Sequence, residues 1–366
     1  MNMPPPSTAG TALQYARHGS AEFNARMHQW LTALAGEVRA LLGDNLVALI
    51  LGGGYGRGEG GVLLVAGEER PYNDLDFTLV VHRQADIPEE ALESVRHRYE
   101  RLIGIAVDFS RPLTLDAVRR WPFTLMWSDL LHGHAVLEGP ADVLTANAPS
   151  MPSGRLPAIE ATRLLLNRGA GLLWSMRVLR AAEPPPDADF VRRNYFKCAL
   201  ALGDALLISY GRFATPYTGR DRLLAGLLPE CRPVLSFDLA CLYDEALAFK
   251  FQPGESARQF SDTDLRTLAS QWGEVCLQVE NRRTGAAWPN LAAYVRDGRW
   301  REPAQNSLRH WPRNLVRNRQ CGAWSVHYPR ERLYRQLPAL LGLGESSVHD
   351  WAESSERFLA VWKRVN

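Results

Sequence analysis

The sequence predicts an α+β fold: a small domain built on a mixed sheet, then a helical bundle domain, then a C-terminal extension. Three observations carry this. Apolar runs of strand length, at 46–51 and 75–81, flank a glycine-dense turn in the first third of the chain. Between residues 158 and 283 the apolar spacing lengthens to about 3.6 residues, the period of a helix. From Trp288 onward the composition shifts to arginine and tryptophan. The boundaries that follow are a loose tail over 1–18, the sheet domain over 19–145, the helical domain over 155–285 and the Arg/Trp-rich region over 286–366.

With 366 residues, 46% of them hydrophobic and 22% charged, the chain can bury a sizeable core in two or three domains. Its formal net charge is +2, unevenly placed. Residues 1–150 hold 12 Lys and Arg against 18 Asp and Glu, whereas residues 282–335 hold 12 Arg against three acids. Only three lysines occur: Lys197, Lys250 and Lys363. Cys198, Cys231, Cys241, Cys276 and Cys321 are widely spaced and form no CxxC pair, which points to reduced thiols rather than a disulfide framework or a zinc site. Residues 1–7 lack the charged start and apolar run of a signal peptide, and no stretch reaches the ~20 apolar residues that span a bilayer. A cytoplasmic protein with no membrane partner is the expectation.

In the sheet domain, Phe23, Met27, Trp30, Leu31, Leu34, Val38 and Leu41 recur at three- and four-residue steps. They predict a helix over 20–42 with Ser20 as N-cap and Gly43 near its end. The run 46–51 is the first strand, residues 62–71 fit a small hairpin, and 75–81 is the next strand. Pro88, Glu89 and Glu90 suit the first turn of a helix over 88–102, and 103–109 is a short strand that carries an acid, Asp108. A helix over 121–131 and a strand over 134–140 close the domain. The Pro-, Ser-, Ala- and Gly-rich residues 141–157 mark a boundary. Helices follow at 158–182, 189–210, 232–250 and 263–283, the last opened by Ser261 and Asp264, and short links between them predict a bundle. Beyond Trp288 the pattern assigns no element.

The chemistry concentrates between Gly52 and Asp76. Seven of the ten residues from Gly52 to Gly61 are glycine, so backbone N–H groups there can meet a bulky anion. On the strand that follows, alternation puts Asp74 and Asp76 on one face and Leu75 and Phe77 on the other. Two carboxylates beside a glycine turn can seat a hard divalent cation carrying a triphosphate. A dinucleotide fingerprint and a kinase glycine loop are set aside. Gly53 and Gly58 have the spacing of a P-loop, but Glu59 and Gly60 stand where Lys and Ser/Thr are required.

The stretch resembles the nucleotidyltransferase superfamily typified by DNA polymerase beta and the aminoglycoside nucleotidyltransferases. Gly53 and Gly54 match the family's turn after a strand, Arg57 its nearby arginine, and Asp74-Leu75-Asp76 its Asp-x-Asp. Nineteen residues separate Gly54 from Asp74, more than the family usual, and the hairpin over 62–71 absorbs the excess. The resemblance covers about residues 45–110. It implies that Asp74, Asp76 and a third carboxylate, Asp108, hold Mg²⁺ or Mn²⁺ and do the catalysis. Gly53 and Gly54 would cradle the phosphates of an NTP, with Arg57 on phosphate or bracing the turn by pairing with Glu59.

The implied reaction moves a nucleoside monophosphate, AMP first among them, from an NTP to a hydroxyl of a small molecule or a protein, with release of pyrophosphate. A catalytically silent nucleotide-binding module and an RNA-directed transferase are the alternatives. In the helical domain, Arg193 and Lys197 share one face of a helix, and Lys197 is a candidate to close over the triphosphate, against the commoner reading of a solvated face. His132 and His134 read as strand-surface residues. Arginine and indole in the last region suit nucleic acid. Packing of the tryptophans onto the bundle is preferred there, because a total charge of +2 argues against a dedicated nucleic-acid enzyme.

Overall fold

Ser20 caps the first helix as its position implies. Its Oγ accepts from Phe23 N, and α1 (Ala21–Leu42) buries Phe23, Met27, Leu31, Leu34, Val38 and Leu42 along one stripe. The computed structural model describes residues 14–231, 233–254, 259–344 and 349–365. Residues 1–13, most of the expected loose tail, lie outside that range. Tyr15 and Ala16, also placed in the tail by the sequence pattern, are buried instead, because Asn24 Oδ1 accepts from both of their amides.

The elements after α1 are β1 (Leu46–Leu51), the single turn α2 (Gly53–Gly56), β2 (Gly61–Val65), β3 (Glu68–Tyr72) and β4 (Asp74–Val81). They continue with α3 (Glu89–Ile103), β5 (Ala106–Phe109), α4 (Leu115–Val118), α5 (Leu125–His132) and β6 (Ala135–Glu138). β2 and β3 form the expected hairpin. The other four strands make a mixed sheet in the order β5-β4-β1-β6. β4 runs antiparallel to β1 and parallel to β5, and α3 connects the parallel pair. Gly104 ends α3 in the left-handed region at φ +83, so the strand after it starts at Ala106 rather than at 103.

Alternation along the strands separates two cores. Leu49, Leu51, Leu75, Phe77, Leu79, Val81 and Val107 face α1 and α3. Ala48, Ile50 and Val80 face the other way, toward Val118, Trp121, Leu144 and Met151. That second face is covered at the Val80 end of β4, while Asp76 near the other end is exposed. The position of the candidate site follows from this uneven cover.

After these come α6 (Ile159–Leu179), α7 (Phe190–Ser209), α8 (Arg220–Leu227), α9 (Leu239–Phe251) and α10 (Asp262–Thr284). The last are α11 (Leu291–Arg296), α12 (Trp311–Gln320), α13 (Arg330–Leu340) and α14 (Trp351–Val365). α9 begins at Leu239 and not near 232, where Pro233 cannot donate a backbone hydrogen bond and Asp238 Oδ1 takes the Cys241 amide at the helix start. The chain divides into two units: Met1–Ser153 with Thr215–Thr218 and Ala248–Ser256, and the remainder. In the second unit α6, α7 and α10 pack on one another, and α13 and α14 pack on α6. Residues 286–344 and 349–365 belong to that same unit. Part of the arginine excess is internal to it. Arg283 pairs with the fully buried Glu280 at 2.7 Å, and Glu331 accepts the Arg301 and Glu302 amides at 2.9 and 2.7 Å. All five cysteines are free thiols, and no helix among the described residues is long and apolar enough to cross a membrane.

Candidate functional site

The glycine-dense stretch is tied down from several sides. Gly52 N donates to Asp76 O at 2.8 Å, joining the turn to β4. Tyr55 is buried, its hydroxyl donating to Gly61 O at 2.7 Å and accepting from Tyr72 N at 2.8 Å at the base of the hairpin. Gly60 N donates to Tyr15 O at 3.0 Å, and Ala16 bridges to Glu59, so the segment 14–16 lines the far side of the turn. Gly53 sits at φ +60, where only glycine is unstrained, and a Cβ there would come within 2.5 Å of Asp76 Oδ2. Gly54 lies inside the α2 turn, and Gly53 and Gly58 carry the left-handed backbone.

The three acids fall on one face of the sheet. Asp74 and Asp76 alternate with the buried Leu75 and Phe77, and the parallel register of β4 and β5 sets Asp76 directly opposite Asp108. Val107 points into the core, so Asp108 points to the same side as Asp76. Asn73, at φ +79, turns the chain from the hairpin into β4, and its amide hydrogen-bonds Asp74 Oδ1. Asparagine is among the few residues besides glycine that take this backbone readily. Among the described residues no group of three or more His, Cys, Asp or Glu side chains is arranged to hold a metal ion. The donor set is nevertheless of the right kind. It consists of carboxylate oxygens on a strand end open to water, which suits a hard cation that keeps part of its hydration.

Behind the turn lies a buried charge network. Arg57 extends inward, its side chain 6% exposed, and pairs with Asp129 and, at 3.4 Å, with Glu59 Oε2. Glu59 accepts from the amides of Tyr217 and Thr218 at 3.0 and 2.9 Å and from the Thr218 hydroxyl at 2.9 Å. Burial pushes the Glu59 carboxyl up, but the Thr218 and Tyr217 hydrogen bonds and the Arg57 charge outweigh it and hold the group below the ordinary carboxylate range. Arg57 is thus occupied as a brace of the turn, the second of the two roles open to it from the sequence.

The cation that stands at the turn is Lys250. A Cβ on Gly54 would lie 3.5 Å from its Nζ, which also rests 4.5 Å from the centre of the Tyr217 ring. Comparison with protein-family models and with curated proteins gives no match for this chain.

Lys197, the cation expected from the sequence, belongs to the second unit, on α7, where its charge acts on Asp187. Arg193 on the same helix pairs with Asp187 at 2.7 Å. His132 ends α5 rather than lying on a strand, and its Nδ1 is 2.8 Å from Ser128 O. His134 Nδ1 is 2.9 Å from Leu130 O, and burial pushes its imidazole below the ordinary histidine range. Gly56, Gly58 and Gly61 do have the spacing of a dinucleotide fingerprint. They lead into strand β2 and not into a helix, so the context that motif requires is missing.

Proposed function

We propose that the chain is a metal-dependent nucleotidyltransferase, moving a nucleoside monophosphate from an NTP to a hydroxyl and releasing pyrophosphate. The observation that carries the reading is the pairing of Asp76 with Asp108 across β4 and β5, on the face shared by Asp74 and beside the Gly53 turn. Asp74 and Asp76 would hold Mg²⁺ or Mn²⁺. A divalent cation there would supply charge stabilisation to the attacking and leaving oxygens of an in-line displacement.

The chain's own residues supply the rest. The first N–H groups of a helical turn have no intrahelical acceptor, so Gly53 and Gly54 can donate to phosphate oxygens. Lys250 adds positive charge at the same turn. Asp108, on the neighbouring strand, would take the proton of the acceptor hydroxyl. Gly53 keeps the turn close against Asp76, since any side chain there would occupy the position of its carboxylate.

Incubation with α-labelled NTPs, Mg²⁺ and a cell extract tests the reading. Label should appear on a small molecule or a protein, and Asp76→Asn should abolish it while the fold persists by circular dichroism. Equal labelling by wild type and Asp76→Asn would sink it.

A further inference from the structure

The arginine- and tryptophan-rich region splits into two kinds of surface. Trp288 is buried against Tyr294, and Trp351 and Trp362 are half-buried, their indole N–H groups donating to Leu340 O and Asn167 Oδ1 at 2.8 and 3.2 Å. These three behave as packing residues. Around α12 the order inverts. The side chains turned inward are the amides of Asn314 and Asn318, which donate to the carbonyls of Gln305, Ser325 and His327 at 2.7–2.9 Å. Outward are Leu308, Val316 and Trp324, 70%, 56% and 78% exposed, together with Trp311 and the guanidiniums of Arg313 and Arg319. A helix docked by amides that shows tryptophan and arginine to solvent spends apolar area on something other than its own core.

Charge narrows what that is. Residues 303–330 contain Arg309, Arg313, Arg317, Arg319 and Arg330, and no Asp or Glu. Burial and the like charges of Arg313 and Arg330 push the Arg317 guanidinium below its ordinary range. Rings and guanidiniums alternate here. Arg319 lies 4.3 Å over Trp324, and Trp300 lies 4.6 Å from the His327 ring with Arg335 5.8 Å away. Two hollows of about 340 and 800 Å³ adjoin along α13, sharing Arg332, Arg335 and Gln336.

We infer that α12, the Cys321–Trp324 turn and the arginine-lined face of α13 form a binding surface for single-stranded nucleic acid. Exposed indoles offer platforms on which unpaired bases stack, and the interleaved guanidiniums supply positive charge for backbone phosphates. A duplex would keep its bases from these rings. A bilayer surface fits less well, because on α12 Val316 stands between Arg313 and Gln320, and no continuous apolar stripe forms. The inference rests on the second unit alone and holds whether or not the first unit transfers nucleotides.

The test is fluorescence anisotropy of the full-length chain with labelled single-stranded RNA and DNA of about 16 nucleotides. Parallel arms use the same sequence as duplex and vesicles of anionic phospholipid. Binding to a single strand should weaken steeply between about 50 and 200 mM salt. Trp324→Ala should weaken it about five- to hundredfold, as loss of one stacked base does. Arg313→Glu combined with Arg319→Glu should abolish it and flatten the salt slope. Because these side chains are exposed, melting temperatures should stay at the wild-type value, and labelled-NTP transfer should be unchanged. No single-strand binding at 50 mM salt, equal affinity for duplex, tighter binding to vesicles, or indifference to both variants would each overturn the inference.

Discussion

Replacing Gly53 with alanine separates the candidate site from the fold that carries it. The backbone there is left-handed, at φ +60, and an L-residue in that region costs roughly 1–2 kcal/mol. The new Cβ would also stand 2.5 Å from Asp76 Oδ2, far inside ordinary contact. Asp76 is exposed, so the clash falls on its carboxylate rather than on the packed side of the sheet. The fold should therefore lose only the backbone term, about 2–8 °C of melting temperature for a unit of this size. The reaction should lose far more, since a catalytic group misplaced by ~1 Å can cost about 10²-fold. Gly67, at the tip of the hairpin, is the control. It has φ +84, but nothing lies within 4 Å of its Cβ position. Gly67→Ala should show a similar fall in melting temperature with unchanged transfer. Melting by circular dichroism and single-turnover transfer of labelled NMP, read on both variants, decide the matter. Full activity in Gly53→Ala, or equal loss in Gly67→Ala, would refute the role given to the turn.

Glu59→Gln should destabilise by about 3 kcal/mol at pH 7, because it leaves the buried Arg57 short of a charge partner. The Glu59 carboxyl titrates below its ordinary value, so its contribution is complete above the unfolded pKa of ~4.3 and fades as pH falls through the folded value. The gap between wild type and variant in urea unfolding should shrink from pH 7 toward pH 3, and a constant gap would remove Glu59 as its source. Asp108→Asn should leave Mg²⁺-dependent NTP binding nearly intact while transfer falls ~10²–10⁴-fold, and an undiminished rate would make Asp108 a mere strand-end residue. Lys250→Ala should weaken NTP binding about tenfold, the ~1.5 kcal/mol of one charge-assisted hydrogen bond, measured by calorimetry. Equal affinities would show that its ammonium does not reach the nucleotide.

What the sequence disclosed was local. Helix α1, the hairpin and the alternation of Asp74, Leu75, Asp76 and Phe77 each follow from a cap, a turn or a period read within a dozen residues. Short elements such as α4 and α8 span too few residues for a period to declare itself. The network behind the turn is long-range. Arg57 meets Asp129, Glu59 meets Tyr217 and Thr218, and Lys250 approaches Gly54, all across sequence gaps that no local pattern encodes. Lys250 is marked in the sequence only as one of three lysines, whereas Lys197 shares a regular helix spacing with Arg193. The tryptophans divided for a related reason. Composition alone does not say that Asn314 and Asn318 take the inward side of α12, and once they do, Val316 on the other side faces solvent.

The glycine-dense turn raises a physical question that its composition cannot answer. Seven glycines in ten residues lose more conformational entropy on ordering than any other sequence, yet a site must be ordered before substrate arrives. The ordering is supplied from beneath, by side chains behind the glycine face. The Tyr55 hydroxyl closes the base of the hairpin, Arg57 and Glu59 anchor the turn to Asp129 and to residues 217–218, and the Tyr15 carbonyl holds Gly60. Buried charge pairs of this kind add little net stability over an apolar core, but a turn displaced from its place would strand Arg57 and Glu59 without partners. That penalty fixes one geometry. The glycines then remain free of side chains on the outer side, where Asp76 packs against Gly53 and the Lys250 ammonium reaches Gly54. Glycine on the face and ion pairs at the back are two halves of one solution: under the proposed function, a turn bare enough to admit phosphate and rigid enough to meet it without further ordering.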